Sequence, residues 1–128
     1  MNAPIRTTFA NLVELVQHRA HDISGTADRT AFTFLANGEQ VSASLTFQQL
    51  DRHARNIAAH LQSRTQPKDR ILLVYYPSIE YITAFLGCIF AGVVAVPSLP
   101  PTNPRTLPRL QILAKDAQPR LVLTHTNI

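Results

Sequence analysis

The chain has 128 residues, 45% apolar and 16% charged, and its 12 Lys+Arg against 8 Asp+Glu give a net charge of +4. That composition excludes a chain disordered throughout, and the length suits one domain with a real core but not a multidomain enzyme. The lone cysteine, Cys88, excludes an intrachain disulfide and a multi-cysteine metal site and makes a reducing cytoplasm the default compartment. The N-terminus from Met1 to Thr8 carries one Arg and no apolar run, so it does not read as a secretory signal.

Thr8 is placed to cap a first helix over about Phe9 to His21, in which Phe9, Leu12, Val13, Val16 and Ala20 recur at helical spacing. Ser24 to Arg29 is a polar connection. Thr30 to Leu35 and Val41 to Leu45 then flank Asn37-Gly38, two residues that tolerate positive φ, which predicts a β-hairpin. Thr46 and Gln49 have the spacing of a capping box, with Leu45 and Leu50 placed as its hydrophobic staple. The helix they open carries Phe47, Leu50, Ala54, Ile57, Ala58 and Leu61 on one stripe and stops near Arg64.

Ile71 to Tyr75 is a continuous apolar run of strand length, as expected for a strand covered on both faces. Pro77-Ser78 opens a helix through about Ala91 that is apolar nearly all round and so should be deeply buried. Gly92 ends it, and Val93 to Val96 is the next strand. Ser98 to Pro104 holds three prolines and reads as an irregular loop. Thr106 to Ala117 is a short helix with Leu107, Leu110, Leu113 and Ala117 expected inward, and Arg120 to Thr124 is a third buried-type strand. The fold class is therefore α/β: an N-terminal β-hairpin and helices, followed by a β-α-β-α-β parallel-sheet unit with right-handed crossovers.

Two stretches are locally basic: Arg52 to Arg70 has five Lys+Arg against one Asp, and Arg105 to Arg120 has four against one. Nucleic-acid modules add stacking aromatics to such charge. Here the aromatics Phe32, Phe34, Tyr75, Tyr76, Phe85 and Phe90 lie in apolar runs instead, so the charges read as a solvated helix face and no nucleic-acid partner is expected. Tyr81 to Val96 is uncharged but shorter than the roughly 20 residues of a spanning helix and is broken by Gly92 and Pro97, so no membrane span is expected.

Chemistry-bearing residues are sparse. His18 and His21 form an i, i+3 pair, but no cysteine or carboxylate converges on them in sequence, and His53, His60 and His125 are isolated. Cys88 lies mid-helix in an apolar run and reads as a buried structural cysteine. Glu14, Asp51, Glu80 and Asp116 are too far apart to form a paired-carboxylate device. Gly25, Gly38, Gly87 and Gly92 are too scattered for a phosphate-cradling loop. No residue of the chain is assigned to catalysis, to cofactor binding or to a metal.

From Leu45 to Thr124 the chain nevertheless resembles the N-terminal part of AMP-forming acyl-activating (adenylate-forming) enzymes. LTFQQL (Leu45 to Leu50) is similar to their early L-[ST]-[YF]-x-x-L motif, and DRILLVYYPSIEYITAFLGCIFAGVVAVPSLPP (Asp69 to Pro101) to their next conserved block. Within that superfamily the resemblance leans to fatty acyl-AMP ligases. Tyr75-Tyr76-Pro77 resembles their Y-P-P, Gly87-Cys88 with Ala91-Gly92 their G-C-x-x-A-G, and Ala95-Val96-Pro97 with Pro100-Pro101 their A-V-P-x-x-P-P. Arg109 to Ile112 and Asp116-Ala117 resemble the R-L…D-A helix of that group. Lys68 before Asp69, and Ser78, depart from the family's usual turn residues.

The resemblance implies that residues 1–128 are part of an AMP-binding N-terminal subdomain. The longer enzyme would activate a fatty acid with ATP and Mg²⁺ to acyl-AMP and pyrophosphate, then pass the acyl group to the thiol of an acyl carrier protein, as in polyketide or lipopeptide assembly. The family's phosphate loop, nucleotide-binding motifs and C-terminal lysine would lie beyond position 128, leaving this chain as cytoplasmic scaffold whose partner is the remainder of the ligase or a downstream chain. The contrasting expectation is a free-standing small α/β module that binds a partner without catalysis.

Overall fold

A computed structural model describes residues 8–22 and 25–125. The expectations for Met1 to Thr8 and for Ser24 fall largely outside that range. The first helix, α1, spans Leu12–His21. It begins later than expected because its cap is Asn11, not Thr8. The Asn11 side-chain oxygen accepts from the Glu14 amide at 2.8 Å, and the Glu14 carboxylate accepts from the Ala10 amide at 3.0 Å. Asn-x-x-Glu offers the helix start both an acceptor for an early amide and an acid near its positive end.

Strands β1 (Thr30–Ala36) and β2 (Gln40–Thr46) form the antiparallel hairpin. Asn37 and Gly38 take φ of 54° and 73°, and the Glu39 amide closes the turn on the Ala36 carbonyl at 3.1 Å. Helix α2, Phe47–Gln62, starts with the full capping box: the Gln49 amide donates to the Thr46 hydroxyl at 3.1 Å and the Thr46 amide to the Gln49 side chain at 2.9 Å. Leu45 and Leu50 meet in one buried cluster with Val16, Ala54 and Leu86, as a staple requires.

Three parallel strands follow: β3 (Arg70–Val74), β4 (Val94–Ser98) and β5 (Leu121–Thr124), in the order β4-β3-β5. Helix α3, Ile79–Ala91, joins β3 to β4, and α4, Leu107–Ala117, joins β4 to β5. The first crossover leaves β3 toward one side and the second returns past β3 to the other. Right-handed connections then put α3 and α4 on opposite faces of the sheet. Pro97 sits in β4, where a missing amide is tolerated because β4 has only one neighbour in this sheet.

The main core lies on the α3 face. Ile71 and Leu73 point into it with Leu61, Ala84, Cys88 and Val93. Gly92 caps α3 in the left-handed region at φ 78°. Gly87 lets α3 lie close against α2, because a Cβ there would come within 2.7 Å of the Ile57 Cβ, a distance real Cβ atoms do not show. The opposite face is different. Leu72 pairs there with Val96 and Val122, yet Val122 is 54% exposed and Val94 44%. Of the four α4 residues expected inward, only Ala117 is buried, and Leu107 is 42% exposed. The helix is where the pattern puts it, but nothing in the described chain lies over it.

Candidate functional site at the carboxyl ends of the parallel strands

In doubly wound sheets, ligands bind outside the carboxyl ends of the strands where successive crossovers go to opposite faces. Here that point lies between β3 and β4. The segments leaving these strands, Tyr75-Tyr76-Pro77 and Pro97-Ser98-Leu99, meet there, tied by the Tyr75 amide donating to the Ser98 carbonyl at 3.2 Å. Tyr75, Pro77, Pro97, Ser98 and Leu99, together with Tyr81, line a crevice of about 280 Å³. Among the described residues no charged side chain lines it. The two segments carry the Y-P-P-like and A-V-P-x-x-P-P-like motifs, far apart in sequence and adjacent in space.

An aromatic cluster stands round the crevice. The His125 ring, just past β5, is edge-on to Tyr75 at 4.8 Å between centroids and stacked on Tyr76 at 6.3 Å. Its Nε2 accepts from the Tyr76 amide at 3.3 Å. Tyr75 is tilted against Tyr81 at 6.3 Å, and Tyr81 against Phe85 at 6.1 Å. Burial first, then the proximity of Cys88 and Glu80, raises the Tyr75 pKa, so its phenol stays a neutral hydrogen-bond donor at physiological pH.

On the other side of Tyr81 lies a second apolar groove of about 500 Å³, bounded by α1, β1, α2 and α3. Leu12, Val16, Phe32, Phe47 and Phe85 line it, and Arg19 is the one charged side chain among its described wall residues. The Arg19 guanidinium lies 5.8 Å from the Phe9 ring centre. A third depression, at the opposite end of the sheet, is lined by residues 62–66 with Arg120 and Leu121. It is a poor anion site. The Ser63 and Thr65 hydroxyls donate back to the His60 and Leu61 carbonyls at 2.7 and 2.8 Å, and the negative end of the α2 dipole lies there, which Arg64 complements.

The histidines do not assemble. His18 packs on Phe9 at 5.4 Å, while His21 faces α2. Among the described residues no three His, Cys, Asp or Glu side chains come together. Cys88 is fully buried, and burial pushes its thiol up to about 11, which suits a packing role.

Asp51 is the residue that the helical stripe missed. Its side chain is 7% exposed and lies 2.9 Å from Arg55 Nε and 3.6 Å from His21 Nε2, while its Oδ1 is buried without a hydrogen-bond partner among the described residues. The i, i+4 pairing with Arg55 was visible in sequence. The cover supplied by the end of α1 was not.

With this geometry in hand, the sequence profile of the family described as AMP-binding enzyme matches residues 19–128. The medium-chain-fatty-acid–acyl-carrier-protein ligase JamA of Moorena producens is 44% identical over 120 residues, covering 91% of this chain and 20% of that protein. A long-chain-fatty-acid–AMP ligase of Mycobacterium tuberculosis is 36% identical over 104 residues, covering 79% of this chain and 18% of its own length. The fatty acyl-adenylate ligase of Legionella pneumophila, solved with acyl adenylate and pyrophosphate, superposes with a TM-score of 0.80 at 36% identity over 90% of this chain and 20% of that one. The chain thus spans about a fifth of the length of the curated relatives it matches.

Proposed function

Because the chain belongs to the AMP-binding enzyme family, we propose that the complete protein containing it is a fatty acyl-AMP ligase. It joins a fatty acid to ATP, forming acyl-AMP and releasing pyrophosphate, and hands the acyl group to the thiol of an acyl carrier protein in the cytoplasm. The observation that carries this reading is the 44% identity to an acyl-carrier-protein ligase, sustained over 91% of the chain. The adenylate-bound structure of a similar ligase supports the first half-reaction. No helix among the described residues is long and apolar enough to cross a membrane.

Within that enzyme, these residues act as scaffold. The α2–α3 pair and the β3-centred sheet are the stable frame. ATP and Mg²⁺ are to be held by residues outside this chain, since adenylation needs cations aimed at the developing phosphate charge. The uncharged crevice at the strand ends supplies none.

The test is fatty-acid-dependent exchange of pyrophosphate into ATP. The complete protein is expected to catalyse it, and the 128-residue chain alone to give no exchange above a heat-inactivated control. A folded complete protein that shows no exchange with any fatty acid overturns the reading, and exchange by the isolated chain overturns the scaffold role.

A further inference from the structure

We propose that His125 is a positioning residue of the ligation site: its neutral imidazole accepts the Tyr76 amide on Nε2 and so clamps the segment leaving β3 to the end of β5, and uptake of a proton by the ring opens that clamp. Strands β3 and β5 are paired in register as far as Val74 and Thr124, where the Thr124 hydroxyl also donates to the Val74 carbonyl at 2.6 Å. Just beyond that pair the tie between the two strand ends passes to a side chain, with the Tyr76 amide donating to His125 Nε2 at 3.3 Å. The same ring packs on both tyrosines, edge-on to Tyr75 with centroids 4.8 Å apart and stacked on Tyr76 at 6.3 Å.

The clamped segment is a wall of the candidate site. Tyr75 and Pro77 line the crevice at the carboxyl ends of β3 and β4, where a sheet wound in this way presents its ligand. Two other hydrogen bonds hold the segment: the Tyr75 amide donates to the Ser98 carbonyl at 3.2 Å, and the Ser78 hydroxyl to the Tyr76 carbonyl at 2.9 Å. Amides and aliphatic hydroxyls do not titrate near neutral pH. The tie to His125 is the one of the three that a proton can switch.

Imidazole chemistry sets the direction of the switch. Nε2 accepts only while it keeps its lone pair, with the ring's single proton on Nδ1. In the imidazolium both nitrogens are donors, so Nε2–H and the Tyr76 N–H would point at each other and the bond is lost. Histidine is the side chain that ordinarily changes charge between about pH 5 and 8. The clamp is therefore closed on the alkaline side of the ring's titration and open on the acid side. Among the described residues, the titratable groups against the ring are the phenols of Tyr75 and Tyr76, a type of group that ordinarily ionises only near about pH 10. Glu80, in the first turn of α3, is the charge that acts on Tyr75 beyond them.

The effect on rate rests on the fatty acyl-AMP ligase reading, and the experiment keeps the two apart. The complete protein is compared with its His125→Gln and His125→Phe variants, each checked for folding by its urea midpoint. Gln brings a non-titrating side-chain oxygen near the place of Nε2, whereas Phe keeps a ring but cannot accept. Fatty-acid-dependent pyrophosphate exchange is measured from about pH 8 down to about pH 5.5. Dividing the unaltered rate by the His125→Gln rate at each pH removes every titration the two proteins share. That ratio is expected to fall with pH, approaching about tenfold per unit once the ring is mostly protonated. His125→Phe is expected to run below His125→Gln at every pH, by a constant factor. In parallel, hydrogen exchange of the Tyr76 amide, scaled to its intrinsic rate at each pH, needs no catalysis. Its protection should decline with pH in the unaltered protein, persist in His125→Gln and be low throughout in His125→Phe.

Tyr76 protection that does not change with pH in the unaltered protein overturns the clamp, as does a folded His125→Phe variant that protects Tyr76 undiminished. Protection that falls while the rate ratio stays flat overturns the positioning role. If the unaltered protein shows no exchange with any fatty acid, the ligase reading fails, while the Tyr76 protection still decides whether His125 is a proton-operated clamp.

Discussion

The two faces of the β3-centred sheet are made by the same strands and end in opposite conditions. On one, Ile71 and Leu73 are fully enclosed by α2, α3 and Cys88. On the other, Leu72 and Val74 are covered, but Val94 and Val122 beside them stand open, and α4 buries only Ala117. A strand buried on both faces reads the same in sequence whether the second cover is local or belongs elsewhere. The apolar run says that both faces need covering, not which segment covers each.

The largest expected break between the faces is Leu73→Ala. It removes a fully buried side chain from the closed face and should cost about 2–5 kcal/mol, while Val122→Ala on the open face should stay near 0.5 kcal/mol. Urea midpoints measure both, and equal losses would erase the distinction.

Gly92→Val ranks next. It forces a β-branched residue to φ 78° at the end of α3 and should cost on the order of 2–3 kcal/mol. Gly38→Ala, also at positive φ but at an exposed hairpin tip, should cost about 1 kcal/mol. Urea midpoints that coincide for these two variants would detach α3 from the closed core.

Cys88 tests the same core by titration. Its thiol is raised from the ordinary 9.0 to about 11 in the folded state, so the folded chain holds the proton more tightly than the unfolded one. The contribution is fully present below pH 9 and is lost as pH rises toward 11, on the order of 2 kcal/mol. Denaturation curves at pH 8, 9, 10 and 11 should fall less steeply for Cys88→Ala; parallel curves would mean that the core admits solvent.

The smallest effect concerns the open face, where Val94, Val122 and Ile112 leave apolar surface uncovered. The isolated chain is expected to self-associate with rising concentration in light scattering, and Val122→Lys to lower that association. A monomer at every concentration, silent to a hydrophobic dye, would show that the face needs no cover.

What the sequence disclosed follows the same division. The capping box at Thr46, the Asn37-Gly38 turn and the Gly92 cap were legible because each depends on a few neighbouring residues. The fold class, carried by continuous apolar runs and the order of elements, is as expected. The start of α1 was misplaced although Asn-x-x-Glu is itself a local signal, since Thr8 offered a competing one. Asp51 and the inward face of α4 were missed for a different reason: both depend on what another segment brings alongside. The crevice was half legible. The motifs at Tyr75 to Pro77 and Ala95 to Pro101 could be seen, but their meeting requires β3 and β4 to pair in register, with Leu73 opposite Pro97.

The central position of β3 also sets an order of events during synthesis. Ile71 to Val74 leave the ribosome before either neighbouring strand, and the second neighbour, β5, must wait for α4 to be made. At about 5–20 residues per second this fully apolar strand spends a few seconds with an unpaired edge. Lys68 and Asp69 stand before it and Arg70 opens it, three consecutive charges of the kind that discourage premature pairing with another chain. The strand that holds the finished sheet together is thus the one most in need of protection while the chain is being made.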